Sequence, residues 1–405
     1  MPAFRWLRTR PRTMVSADIV TIGIVAIAGA AWAYQGDPTA QVGLNDGSVR
    51  VTTQADPMVG HVDDLSMVLD GVPFNVRDTA NRELLPQLID DLKAHEPPAA
   101  WTGIDGMVPN PEHDDWQYEL DGLQNVQKAL RDNDFVTLAM LDVDGSRVDA
   151  ALAIGDVDTA DHVGVYTQGL FSGTSKDDGI SDPLRQMYDV DALAHQQLLQ
   201  DGRGGETTAM VMWMGYDSPQ NVDVLSDAQA KGGADSLASF ADGIRAVNPD
   251  TKLVGLGHSY GATVTGLAAQ QTDAFDSIVL FGSPGVGTTS MSDLRVPAGQ
   301  VYALANPLDP VAGSGHFDGG WWPLGTPTTQ LDGVTELSTA PSGDLTGPAA
   351  PSPWSQVWGL LNPLISIVQD VVTGFDQHNQ YLVRGSTAEY NIAAAVADAP
   401  DKMIR

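Results

Sequence analysis

The 405-residue chain contains no cysteine, which excludes disulfides, thiolate nucleophiles and cysteine-held metal centres. The absence leaves the redox compartment open, because exported proteins also dispense with the residue. Basic residues are scarce. Only 21 Lys and Arg, six of them Lys, stand against 52 Asp and Glu, for a formal net charge of -31. A field of that sign repels nucleic acid and anionic membrane surfaces, so both are disfavoured as partners of the folded body. The acidic surplus by itself reads as a solubilising surface, with runs such as Asp114-Asp115 and Asp177-Asp178. Nothing in the composition calls for a cofactor or a metal. The length suffices for one large domain with a substantial core.

Residues 1–34 differ in kind from the rest. Arg5, Arg8, Arg10 and Arg12 precede the apolar run Ile19 to Trp32, and Ala31-Trp32-Ala33 offers the small residues an export peptidase needs. The segment is expected to be a signal peptide or a membrane anchor. That makes the protein secreted or cell-envelope associated on the extracellular face, and it allows membrane association through the apolar segment.

Residues 35–60 are rich in Gly, Asp, Thr and Gln without a periodic run and read as an exported linker or arm. A helical accessory segment is expected over 61–134. Within it, Val76, Ala80, Leu84, Leu85, Leu88, Ile89 and Leu92 recur at helical spacing, Pro97 to His113 reads as a connector, and a second helix spans Leu120 to Arg131. From residue 135 onward, strands and helices alternate. Phe135 to Val143 and Arg147 to Ile154 form a hairpin across Asp144-Gly145, followed by strands at Val163 to Thr167, Ala209 to Met214, Leu253 to Leu256, Ser277 to Phe281 and Val301 to Ala305. Helices at Pro183 to Leu199 and Asp235 to Val247 separate them. This alternation specifies an α/β class: a mainly parallel sheet covered on both faces over residues 135–405, with an insertion at about 317–370.

The most informative stretch is Gly257-His258-Ser259-Tyr260-Gly261, which joins the apolar run Leu253 to Leu256 to the small-residue run Ala262 to Ala269. A serine between two glycines at a strand-to-helix junction is how an α/β-hydrolase presents its nucleophile, since a Cβ at either flank would collide with the strand or helix. A serine hydroxyl needs a histidine to take its proton, and the histidine needs a carboxylate to fix its ring. The fold imposes the order Ser, acid, His, and only His316 and His378 follow Ser259. His316 comes seven residues after Asp309, before the chain can add another strand, so His378 is the expected base. Asp309, just beyond the strand Val301 to Ala305, is the expected acid, with turn capping as its alternative role. His258 is read as an elbow residue whose packing matters more than its titration.

Oxyanion donors are expected from the backbone of Tyr260 and from Gln168 or Gly169, after the strand Val163 to Thr167. Met214 and Tyr216, at the end of the next strand, are candidates to line the substrate crevice; Tyr216 serves equally well as a packed aromatic. Trp321 and Trp322 open the long interval between Asp309 and His378, which is expected to form a cap over an apolar acyl pocket or to pack as a plain insertion.

These pieces together resemble the actinobacterial α/β-hydrolase family formerly catalogued as domain of unknown function 1023. The resemblance is carried by Val76-Arg77-Asp78-Thr79-Ala80-Asn81-Arg82, by Ala153 through Val163, and by Trp213-Met214-Gly215-Tyr216-Asp217-Ser218-Pro219. It continues in the serine elbow, Gly282-Ser283-Pro284-Gly285-Val286-Gly287, Asp309-Pro310-Val311-Ala312, and the segment from His378-Asn379-Gln380-Tyr381 to Asn391-Ile392-Ala393. It implies that Ser259, Asp309 and His378 are nucleophile, acid and base. Gln168 departs from the proline usual there, which puts the shape of the oxyanion loop in question.

The expected function is an exported serine esterase or lipase-like hydrolase acting on a small-molecule or lipid-like acyl ester, without metal or cofactor. A serine peptidase or acyltransferase would use the same triad, and a non-catalytic cell-envelope binding protein would keep only the fold.

Overall fold

The computed structural model describes residues 41–45, 48–52, 58–59, 72–103, 106–143, 147–170, 172–176, 179–219, 226–316, 326–340 and 377–405. The expected leader 1–34, Trp321 and Trp322, and most of the interval expected as an insertion lie outside the described residues.

Three short strands, β1 (Gln41–Asn45), β2 (Ser48–Thr52) and β3 (Met58–Val59), pair antiparallel within the stretch read as a linker. The helix α1 (Phe74–Ala94) covers the expected amphipathic run. A hairpin of β4 (Ala100–Gly103) and β5 (Gly106–Pro109) occupies the expected connector, and α2 (Pro111–Asp132) begins well before Leu120. The early start has a local cause. The Asn110 side chain accepts the Glu112 N–H at 3.1 Å, and Pro111 takes the first helical position, where an N–H would have no partner anyway.

The main sheet holds β6 (Val136–Val143), β7 (Val148–Ile154), β8 (His162–Thr167), β9 (Thr208–Met214), β10 (Lys252–His258), β11 (Ser277–Phe281), β12 (Val301–Leu304) and β13 (Thr335–Leu337), in the order β13-β12-β11-β10-β8-β9-β7-β6. β7 pairs antiparallel with both neighbours and every other pairing is parallel. Crossovers are made by α3 (Ser181–Gln200), α4 (Ala228–Val247) and α5 (Tyr260–Ala269), and α6 (Thr387–Val396) follows the last strand. This is the α/β-hydrolase fold.

Both faces of the sheet are apolar because both are covered. Along β9, Met210, Met212 and Met214 enter the core beneath α1, α2, α3 and α6, whereas Ala209, Val211 and Trp213 enter the core beneath α4 and α5. A strand alternates its side chains between faces, so burial on both sides removes any polar position from the run. Leu152 and Met212 are fully buried, each worth roughly 1.5–3 kcal/mol of apolar transfer. Leu152→Ala would cost about 2–5 kcal/mol with its cavity.

The outer edge of β6 is closed by side chains of α1. Asn81 Nδ2 donates to the Leu138 carbonyl at 2.9 Å, the Leu138 N–H donates to Asp78 Oδ1 at 2.6 Å, and Arg82 donates to the Val136 carbonyl. An open edge is thereby capped without another strand. At the opposite edge, β13 arises within the interval read as an insertion and pairs parallel with β12. Three residues, Thr335-Glu336-Leu337, are too few to leave a periodic trace.

Among the described residues no helix is long and apolar enough to cross a membrane, and the expected membrane association is corrected on that finding; the N-terminal apolar segment on which the expectation rested lies outside the described residues. The helices carry charge on their outer faces, as α1 does with Glu83, Asp90 and Lys93, which a hydrocarbon core would not tolerate.

Candidate active site

The loop between β10 and α5 holds Ser259 at φ 56 and ψ −130, a conformation an L residue adopts only under constraint. The constraint comes from both flanks. A Cβ at Gly257 would stand 2.6 Å from the Ala262 Cα, and one at Gly261 would stand 2.3 Å from the Thr167 carbonyl oxygen. Backbone bonds then fix the turn, with the Ser259 N–H donating to the Phe281 carbonyl at 3.0 Å and the Ala262 N–H to the Ser259 carbonyl at 2.9 Å. The two glycines thus have the steric task that the sequence assigned to them.

Asp309 lies in the turn after β12 and His378 lies shortly before α6, and the fold brings together an acid and an imidazole from positions 69 residues apart. His378 Nδ1 lies 2.9 Å from Asp309 Oδ2, and both residues are buried. The same carboxylate oxygen accepts the Tyr381 hydroxyl at 2.6 Å, while Oδ1 accepts the Val311 and Ala312 N–H groups at 2.8 and 3.3 Å. Burial alone would raise the Asp309 pKa; the bond and charge of His378, with the Tyr381 and Val311 donors, overcome it and hold the carboxyl below the usual range. The bond to Asp309 at Nδ1 fixes the orientation of the His378 ring. His316 lies in the turn after Asp309, and the carboxylate faces His378 instead.

His258 is packed against this pair. Its ring stacks on Phe281 at 5.2 Å and approaches the His378 ring at 4.9 Å, and its Nε2 lies 2.9 Å from the His378 carbonyl oxygen. Burial, reinforced by the neighbouring His378, lowers its pKa to about 3, so the neutral ring donates Nε2–H to that carbonyl. Gly282 forms another wall, since a Cβ there would stand 2.9 Å from His378 Cε1.

Across the serine, Gly169 follows β8, and a Cβ on it would stand 2.5 Å from the Ser259 Cβ. Gln168 and Gly169 are therefore brought directly against the elbow, and Tyr260 is the first residue of α5.

A family model described as alpha/beta hydrolase matches residues 144–318, a stretch that contains Ser259 and Asp309. An uncharacterised protein of Mycobacterium tuberculosis is 32% identical over 248 residues, covering 59% of this chain and 88% of the relative. The chain belongs to the alpha/beta hydrolase family. A second uncharacterised M. tuberculosis protein is 30% identical over 216 residues, covering 49% of this chain and 31% of its own length. Among solved structures, a Trichoderma reesei cutinase in complex with a phosphonate inhibitor is 17% identical, covers 40% of this chain and 68% of its own, and has a TM-score of 0.25.

In this alpha/beta hydrolase family member, Met214 and Tyr216 line a cavity of about 240 Å³ together with Asp115, Arg147, Asp149 and Asp217. Neither Ser259 nor His378 lines that cavity, which lies behind the Gly169 loop. The Tyr216 ring is buried between Trp213 at 6.0 Å and Tyr260 at 6.4 Å, and its hydroxyl donates to the Gln168 carbonyl at 2.6 Å. Ser283, read from sequence as structural, accepts the Gly285 N–H at 3.1 Å and meets the Thr328 hydroxyl at 3.0 Å.

Sequence reasoning assigned no role to Tyr381, although it stands three residues after His378. Its hydroxyl accepts the Asn306 N–H at 2.9 Å while donating to Asp309. A tyrosine one turn after the histidine was the available signal, but it has no meaning until β12 is placed beside that turn. Among the described residues no cluster of His, Asp and Glu has the arrangement of a metal site.

Proposed function

We propose that the chain is a serine hydrolase of carboxylic esters. The observation that carries the reading is a serine held in a strained strand-to-helix turn, next in the chain to His258, whose ring packs on the His378 of a buried His–Asp couple. Ser259 Oγ attacks the ester carbonyl carbon as its proton passes to His378 Nε2, and the carbonyl oxygen becomes an oxyanion. Collapse of the tetrahedral intermediate breaks the carbon–oxygen bond to the alcohol, and His378 returns the proton to that leaving oxygen. Water then repeats the sequence on the acyl-enzyme, releasing the acid and restoring Ser259. Asp309 orients the imidazole and stabilises it while charged. The backbone N–H of Tyr260, at the start of α5, and an N–H of the Gly169 loop are the oxyanion donors, the former supported by the positive end of the helix dipole.

A neutral acyl ester fits this reading better than an anionic one, given the formal charge of -31. Kinship with the actinobacterial group named above, and export through residues 1–34, belong to the same proposal; the latter rests on the arginine-led apolar segment ending at Ala33. Mass spectrometry of the mature N-terminus checks export. Activity is checked by fluorophosphonate labelling and a panel of p-nitrophenyl esters of increasing chain length. Labelling at Ser259, and a roughly millionfold loss of turnover in Ser259→Ala, are expected. A folded protein that neither reacts with the probe nor turns over any ester would sink the proposal.

A further inference from the structure

Three hydroxyl groups converge on the back of the loop that follows β8. Tyr216 Oη donates to the Gln168 carbonyl at 2.6 Å, Ser218 Oγ donates to the Gly169 carbonyl at 2.7 Å, and Ser172 Oγ donates to the same Gly169 oxygen at 2.7 Å. Tyr216 and Ser218 are buried, and both serines interact with the Tyr216 hydroxyl as well, so the three form one network.

Each peptide unit is planar and trans, so its N–H points opposite to its carbonyl. Holding the Gln168 oxygen toward Tyr216 turns the Gly169 N–H the other way. Holding the Gly169 oxygen toward Ser172 and Ser218 does the same to the Leu170 N–H. Gly169 lies against Ser259, where its absent Cβ would otherwise overlap the serine. Among the described residues, neither of these two N–H groups donates to a backbone acceptor. A loop with glycine at its centre has a low barrier to rotating such peptides, and Gln168 does not supply the restricted φ that a proline would.

We propose that Tyr216, Ser172 and Ser218 are positioning residues: a hydroxyl clamp that fixes the Gln168 and Gly169 carbonyls and thereby aims the Gly169 and Leu170 N–H groups at the oxyanion formed on Ser259. The proposal rests on the ester-hydrolase reading. It differs from a plain packing role because it predicts loss of transition-state stabilisation with substrate affinity retained. A shift of the donors by a fraction of an ångström in a water-excluded site is enough to lower turnover steeply.

The test begins with the full-length parent protein on p-nitrophenyl butyrate, with Ser259→Ala as the blank. An inactive parent overturns the hydrolase reading and the clamp together; an active parent confines any later failure to the clamp. In Ser172→Ala/Ser218→Ala, kcat is expected to fall about a hundredfold while KM stays within about twofold. Affinity for a butyl trifluoromethyl ketone, which becomes a tetrahedral adduct on the serine, should weaken by the same factor, whereas affinity for butyrate should not change. Tyr216→Phe, which deletes one oxygen and leaves the stacked ring, should lower kcat about tenfold with the same signature and decides the matter if the double variant does not fold. Unchanged kcat in Tyr216→Phe, or a kcat loss without a matching loss of ketone affinity, would overturn the clamp.

Discussion

Around Asp309 the holding is done by side chains. The carboxylate has His378, Tyr381 and two backbone N–H groups as partners, and His378 has Asp309 on one ring nitrogen and His258 on its backbone carbonyl. Around Gly169 the groups that would face the substrate are main-chain N–H groups, and side chains act only from behind by fixing carbonyls. The difference teaches where each half is vulnerable. A side-chain relay fails when one polar atom is removed, because its partner is left buried and unsatisfied. A backbone donor cannot be deleted by substitution, so that half fails through crowding at a glycine or through loss of its rear supports.

The largest expected effect tests the relay. His378→Ala should lower kcat by roughly a hundred-thousandfold and Asp309→Asn by roughly ten-thousandfold, the latter because an amide holds the wrong ring tautomer. Steady-state kinetics on a p-nitrophenyl ester checks both, and an Asp309→Asn enzyme within tenfold of the parent would remove Asp309 from the mechanism. Next comes the backbone half. Gly169→Ala places a methyl 2.5 Å from the Ser259 Cβ, so kcat should fall by more than about a hundredfold while the thermal midpoint moves by only a few degrees. Retained turnover there would mean that the loop yields freely and that the two halves are less different than their contacts imply.

A smaller effect sharpens the relay side. Tyr381→Phe removes one of four donors to Asp309 and should cost about tenfold in kcat, with the acidic limb of the rate profile moved upward because the carboxylate loses a group that holds its pKa down. An unshifted profile would show that His378 and the two N–H groups suffice.

The smallest effect on turnover is expected outside both halves. In α6, Ser386 Oγ accepts the Glu389 N–H at 3.0 Å and Glu389 Oε2 accepts the Gly385 N–H at 2.6 Å, a reciprocal cap. Burial pushes the Glu389 pKa up to about 7 from its ordinary 4.5. A carboxyl raised on folding binds more protons in the native state. Its contribution is present in full below the unfolded value and is lost as pH rises through about 7. Chemical denaturation from pH 4 to 8 should show stability falling across that window, by roughly 2–3 kcal/mol for this group. Glu389→Gln should flatten the curve and leave kcat within about twofold; a parent curve without slope there would contradict the assignment.

Much of the architecture was legible because its causes are local. The hairpin of β6 and β7, the apolar runs of β8 to β12 and the face of α1 follow from periodicity and burial on one or two sides. Gly257-His258-Ser259-Tyr260-Gly261 was legible for a steric reason that needs only the strand before it and the helix after it. The early start of α2 was written in Asn110-Pro111 but hidden by the prolines upstream, and β13 was too short to read. Tyr381 and the hydroxyl clamp were not legible at all, since Tyr216, Ser172 and Ser218 acquire a meaning only when β8 and β9 lie side by side.

What the sequence by itself determined is a doubly covered α/β sheet with a serine at the turn after β10 and a short inventory of histidines from which a partner had to come. Those follow from steric limits and side-chain periodicity, which act over a few residues. Only the tertiary structure decided that Asp309 and His378 meet at 2.9 Å, that Tyr381 joins them, and which way the peptides of Gln168 and Gly169 face. Each of these is a hydrogen bond between segments far apart in the chain. Its direction is fixed by strand order and by the demand that buried polar groups find partners, and neither can be read from the neighbours of any one residue.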